Sequence, residues 1–312
     1  MTKLKGILLT QGMHGMISQV EGLAKALDLD FTHHTVETNK FWKLLPPKLT
    51  PISQSVFKKI NSEDFDVIIS CGRKSVIPSI YLKKNSSKKV TNIHIQDPKV
   101  NLDNFSYIIA PEHDGLNGEN VFSTKGAIHY LTKEEISNHT NYLKDRLDTG
   151  KEYFLLILGG PTKHYDYSDE NVLNIFNLFN DLVKKNNLQG IIVPSMRTPK
   201  NIIELAKNIL GEKSLVIDTV DKKAYLSALS LAKYIAVTCD STSMISEAAL
   251  TGKPIYVADI PTKKNDSRVK KFRELFAKLN IIKNLDNKLE TWHYEILDET
   301  SRVAKEIKKQ LV

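Results

Sequence analysis

Short apolar runs and stretches of helical period alternate along the whole chain. In the first half, the runs at 3–10, 30–36, 64–70, 88–95 and 105–110 have the length and character of strands. Between them, residues 16–28 set Ile17, Val20, Leu23, Ala24 and Leu27 on one face, which predicts a helix. A second helix is predicted over 73–84, where Pro78 is tolerated only in the first turns or at a kink. The second half repeats the scheme, with strands at 153–160, 190–195, 214–218, 234–238 and 254–258 and helices including 169–185 and 200–210. Parallel strands need long crossovers, usually helical, so this alternation predicts an α/β protein. Five βα units in each half predict two Rossmann-like, doubly wound domains.

The stretch at 131–151, LTKEEISNHTNYLKDRLDTGK, reads as a charged helix closed by a glycine and marks the boundary. The expected division is an N-terminal domain over 1–147, a C-terminal domain over 151–290, and a final helical segment over 291–312 that packs back on the first domain. No apolar run approaches the roughly 20 residues that a membrane helix needs. The N-terminal residues show no apolar core of a signal peptide. Cys71 and Cys239 each end an apolar strand in a different half, which argues against a disulfide framework or a zinc site and fits the cytoplasm.

Charge changes the picture only a little. The formal net charge is +8, yet six of the 44 basic residues are Arg, the side chain that grips phosphate forks and reads base edges. Specific nucleic-acid binding is not expected. Local basic clusters at 83–89 and 263–271 suit weak attraction to an anionic membrane surface, or simply a solvated face.

Ligands of open parallel sheets sit at the carboxyl ends of strands, and there the residues are unusual. After the first strand of the second half, Gly159 and Gly160 let backbone approach a ligand, and Thr162 and Lys163 add a hydroxyl and a cation suited to a diphosphate. Ser195 and Arg197 follow the next strand, placed for a base or a phosphate. The stretch CDSTSMISEAALTGKP, 239–254, sets Ser241, Thr242 and Ser243 at a helix start, with Glu247 one to two turns further in, within reach of ribose hydroxyls. Helix capping by Asp240 or Ser241 would explain one such loop. Three polar loops at successive strand ends favour an anion seat.

In the first half, Gly12 and Gly15 flank His14 in TQGMHGMIS, a loop that allows close backbone approach but is not a dinucleotide fingerprint. His14 is a candidate general base, or a loop histidine fitted to local packing. Arg73 and Lys74 suit an anionic acceptor or the donor's phosphates. Asp97, Glu112, His113 and Asp114 are candidates for acid–base work, with ion pairing or capping as the plainer role. Glu112, His113 and Asp114 make a poor metal site, because adjacent residues diverge.

Taken in order, CGRKS, IQDPK, PEHDGLNGENVFSTKGAIH, LGGPTKHY, VPSMRTP and DSTSMISEAALTGKP resemble the elongated-mitochondria fission family over about residues 5 to 260, in its bacterial type. The paired domains also resemble GT-B glycosyltransferases, and the last motif is similar to non-hydrolysing nucleotide-sugar 2-epimerases. The resemblance implies two domains facing across a cleft, with a nucleoside-diphosphate sugar held by Gly159, Gly160, Thr162, Lys163, Ser241, Thr242, Ser243 and Glu247. The expected activity is metal-independent glycosyl transfer without a cofactor, with His14 or Asp97 as base and an acceptor carried at the inner face of a membrane. A sugar-nucleotide epimerase and a non-catalytic adaptor, the role of plant members, are the alternatives.

Overall fold

The computed structural model of the chain describes residues 3–61 and 64–311. The chain forms two compact units, residues 1–130 with 298–312 and residues 131–297. The first contains β1 (Lys5–Thr10), α1 (His14–Ala26), β2 (Asp30–Thr35), β3 (Val67–Cys71), α2 (Val76–Lys84), β4 (Thr91–Ile95), β5 (Tyr107–Pro111) and β6 (Val121–Thr124). Its strands pair in parallel in the order β2-β1-β3-β4-β5-β6. Burial on both faces explains the unbroken apolar runs. Leu8 of β1 joins a core with Val20 and Leu23 of α1 and Leu27 just after it, while Ile7 and Leu9 face the core built on Val76, Ile77 and Ile80 of α2. Pro78 occupies the first turn of α2, where its missing N–H has no partner to lose.

The second unit contains α3 (Lys133–Asn138), β7 (Tyr153–Leu158), α4 (Asp169–Lys185), β8 (Gln189–Pro194), α5 (Lys200–Leu210), β9 (Ser214–Val216), α6 (Lys222–Leu231), β10 (Ala232–Thr238), α7 (Thr242–Ala249), β11 (Ile255–Ala258), α8 (Ser267–Lys278) and β12 (Ile282–Asn284). Its parallel order is β12-β11-β10-β7-β8-β9. Each sheet thus has six strands rather than five. The two additions, β6 and β12, are short edge strands with partly exposed residues, so they leave little apolar signal.

Two expectations about organisation are corrected. The stretch 131–147 is not one helix of the first domain: α3 ends at Asn138, a 3-10 segment follows over Thr140–Arg146, and both belong to the second unit. The reason is polar anchoring on α6, where Leu143 N–H donates to Ser227 Oγ at 3.1 Å and Tyr142 OH to Asp221 at 2.9 Å. Nor is the final segment helical from 291. Trp292 Nε1 donates to Asn280 O at 2.9 Å and Tyr294 OH to Lys253 O at 3.0 Å, which holds that stretch irregular on the second unit. The last helix, α9 (Glu299–Lys308), starts at its Asp298 cap and buries Val303, Ala304 and Ile307 against the α1 side of the first unit's core.

Candidate functional site

In the second unit the chain builds β7, β8 and β9 outward, then returns past β7 to add β10, β11 and β12. The strand order therefore reverses between β7 and β10, the position at which sheets of this kind receive ligands. The glycine loop leaves β7 there, and the DSTS segment leaves β10.

Asp240 ties these loops together. Its side chain is fully buried, and Oδ2 accepts from Gly160 N–H at 3.0 Å and from Arg197 Nη2 at 2.7 Å. Oδ1 accepts the Thr238 hydroxyl at 2.7 Å, and Thr238 Oγ1 accepts Gly159 N–H at 2.8 Å. Arg197 Nη1 donates to Gly160 O at 3.0 Å, while Thr198 and Ser195 hydroxyls donate to Gly159 O at 2.6 and 3.1 Å. A Cβ at 159 would run into the Asp240 carboxylate, and one at 160 into the Arg197 carbonyl. Both glycines are therefore required by close approach. The result is a rigid seat in which Ser195 and Arg197 hold the loop itself, with the Arg197 side chain still 40% exposed.

Ser241 caps α7, accepting Met244 N–H at 3.4 Å. Thr242 and Ser243 form the first helical turn and are partly exposed. Among the described residues no hydrogen bond engages either hydroxyl. The first turn of α7 has no acidic residue to neutralise its positive end. Thr162 accepts His164 N–H at 3.1 Å, and Lys163 is exposed, with no ion pair among the described residues. The loop beyond is pinned by a bridge between Tyr165 and Thr262. Glu247 accepts the Tyr225 hydroxyl at 2.7 Å; burial pushes its carboxyl up to about 7, against the pull of that bond. Among the described residues no three His, Cys, Asp or Glu side chains converge as metal ligands.

In the first unit the order reverses between β1 and β3. Gly12 there has φ +81° and Gly72 φ +89°, both in the left-handed region. His14 is the exposed first residue of α1, its ring edge-on to Tyr130 at 6.4 Å. Nothing lies within 4 Å of a Cβ built on Gly15. Exposed Arg73 donates from Nη2 to Lys43 O at 2.6 Å. Asp97 lies elsewhere, after β4, between the left-handed Gln96 and Lys99. Its carboxylate accepts Lys99 N–H at 2.8 Å and Nζ at 2.5 Å. Burial works to raise the Asp97 pKa, but the Lys99 contacts outweigh it and hold the group below its ordinary value. The structure brings Gly12, His14, Gly15 and Arg73 to one reversal and Asp97 to the neighbouring strand end.

Sequence reasoning missed the hub role of Asp240 and the parts played by Thr238, Thr198 and Tyr225. The one visible signal was an acid directly after a buried strand.

Residues 14–311 match the family described as Mitochondrial fission ELM1. The chain belongs to this family. An uncharacterized protein of Rickettsia prowazekii is 26% identical, with 94% of this chain and 95% of that protein covered. The Mitochondrial fission protein ELM1 of Arabidopsis thaliana is 22% identical over 78% of this chain, which spans 64% of that protein's length. Solved structures of similar fold include UDP-GlcNAc 2-epimerases from Methanocaldococcus jannaschii (TM-score 0.52, 16% identity, covering 98% of this chain and 99% of that one) and from Neisseria meningitidis, bound to UDP-GlcNAc (0.54, 14%, 98% and 100%). The glycosyltransferase SnogD from Streptomyces nogalater is another (0.52, 12%, 99% and 95%). This family member therefore has the GT-B-type fold of glycosyltransferases and these epimerases.

Proposed function

We propose that the chain is a nucleotide-sugar-dependent glycosyltransferase whose donor diphosphate is neutralised without a metal. The observation that carries this reading is the reversal between β7 and β10. It sets the start of α7, with its free N–H groups and unengaged Thr242 and Ser243 hydroxyls, beside the glycine loop that Asp240 makes rigid, and Lys163 follows that loop in the chain. Glu247, beside Tyr225, takes the ribose hydroxyls. That a protein of this fold from Neisseria meningitidis is bound to UDP-GlcNAc supports a nucleotide sugar as the ligand class.

In the transfer, an acceptor hydroxyl attacks the anomeric carbon and the bond to the distal phosphate oxygen breaks. The electron pair leaves with the nucleoside diphosphate, whose added charge Lys163 and the helix N–H groups stabilise. The hydroxyl proton passes to a general base. Exposed His14 suits that task better than Asp97, whose carboxylate is engaged by Lys99. No helix among the described residues is long and apolar enough to cross a membrane. The reading assigns the protein to the cytoplasm, with its acceptor at the membrane surface.

Calorimetric titration with UDP, GDP, ADP and CDP tests the donor site, with Glu247→Ala beside the parent chain. One diphosphate should bind at micromolar concentration and weaken at least about tenfold in the variant, as for the loss of one good polar contact. Silence from all four on folded protein would turn the assignment to an adaptor. Conversion of a bound sugar nucleotide to its isomer without any acceptor would turn it to an epimerase.

A further inference from the structure

Residues 38–61, between β2 and β3, carry five lysines and no acidic residue. They form three 3-10 turns, Lys40–Lys43, Pro47–Leu49 and Gln54–Val56, rather than a longer element. The segment is anchored by Val56 and Phe57, each 2% exposed, by Asn39 Nδ2 donating to Ser55 O at 2.6 Å, and by Arg73 at the Lys43 carbonyl. Its outer apolar residues nevertheless face water: Phe41 is 72% exposed, Leu44 85%, Leu49 65% and Ile52 39%. These are four of the ten exposed large hydrophobics among the described residues, gathered within one stretch of twelve positions. Scattered exposed apolar residues need no explanation, but a local concentration does.

We propose that residues 40–52 are a docking loop for an anionic phospholipid bilayer. Phe41, Leu44 and Leu49 enter the boundary between headgroups and acyl chains, and Lys40, Lys43 and Lys48 meet the lipid phosphates. Half-buried Trp42, edge-on to Phe41 at 4.9 Å, has the amphipathic ring that favours this depth. Charge complementarity selects this occupant. A second copy meeting the same face would set Lys40, Lys43 and Lys48 against their own copies, with no acidic residue in 38–61 to offset them. Among the described residues, Lys40, Lys43 and Lys48 have no ion pair and are exposed, whereas Lys58 is held by Glu37 at 2.5 Å. The proposal does not rest on the donor-site reading; it names the surface at which that reading's acceptor would be met.

The test is flotation of the full chain with vesicles of phosphatidylcholine alone and of phosphatidylcholine mixed with phosphatidylglycerol. The parent chain should float with the mixed vesicles and only weakly with the neutral ones, and salt should reduce the difference. Replacing Lys40, Lys43 and Lys48 together by Ser should lower binding by about fivefold per lysine. Replacing Phe41, Leu44 and Leu49 together by Ser should lower it at least about tenfold. These side chains are exposed, so circular dichroism, unfolding midpoint and nucleotide titration should not move in either variant. Equal binding to both vesicle types, no binding, or binding indifferent to both triple replacements would overturn the proposal. So would a parent dimer that dissociates in the apolar variant, which would give the face to a second copy.

Discussion

Asp240→Ala removes the acceptor on which Gly160 N–H, the Thr238 hydroxyl and Arg197 Nη2 converge. The three donors lose different amounts. Gly160 N–H is buried and has no other partner among the described residues, so leaving it unsatisfied costs about 1–3 kcal/mol. The Thr238 hydroxyl still accepts from Gly159 but has lost its own acceptor, about 1 kcal/mol. The Arg197 side chain is 40% exposed and turns toward water, so its share is screened to about 1 kcal/mol or less. Together the change destabilises the second unit by roughly 2–5 kcal/mol, in the range for breaking a buried pair from one side. Asp240→Asn should fall only slightly short, because its amide group turns a donor toward Arg197 or Gly160.

Hydrogen exchange read on a peptide covering 158–163 is the assay of choice, because it isolates the loop from the first unit. The amides of Gly159 and Gly160 should exchange faster in Asp240→Ala by about tenfold for each 1.4 kcal/mol lost locally, and diphosphate binding should fall with them. A double-mutant cycle with Arg197→Ala should give a coupling of at least about 0.5 kcal/mol. Unchanged exchange at both glycines, with diphosphate binding intact, would refute the view that Asp240 builds the seat.

Glu247→Gln should alter the pH dependence of stability. Below its ordinary pKa of 4.5 the carboxyl is protonated folded and unfolded, and its burial costs nothing; between there and about 7 only the unfolded chain ionises, so stability falls as pH rises. The full loss is on the order of 3 kcal/mol, absent in the variant, and urea midpoints from acid to neutral pH that ran parallel in both proteins would contradict it. Ile307→Ala should cost the first unit about 2–5 kcal/mol, because this fully buried side chain fixes α9 to the core, and loss of far more structure in the second unit would contradict the contact-defined division. Gly160→Ala should destabilise through collision with the Arg197 backbone, whereas Gly15→Ala meets open space and should hold or raise the unfolding midpoint.

The sheets were legible because most central strands are buried on both faces and so are largely apolar, as in VIIS of β3 and FLLIL of β7. Helices of strong period were legible too: α4 and α5 begin and end where the pattern does. Legibility failed where burial is partial. Edge strand β6, VFST, hides only Thr124 fully. In 291–298 the spacings of Trp292 with Ile296 and of Tyr294 with Leu297 mimic a helix, although the Trp292 and Tyr294 rings are placed by hydrogen bonds to distant backbone carbonyls. Nothing local marks such partners.

The stretch 239–254 shows the same limit inside the site. Its residue types announce a helix start at a strand end, and Ser241 does cap that helix. The neighbouring Asp240 looks equally suited to capping, yet its acceptors face away, toward Arg197 and Gly160, 43 and 80 positions earlier in the chain. A one-dimensional pattern ranks both residues alike, because capping propensity depends only on near neighbours. The division of labour comes from the strand order, which sets β10 beside β7 and so brings the glycine loop within reach of the acid. With Ser241 assigned to the cap and Asp240 to the loop, the Thr242 and Ser243 hydroxyls are left for the proposed ligand. Capping and the proposed anion seat thus fall on adjacent residues of one segment, and accepting the first does not remove the second.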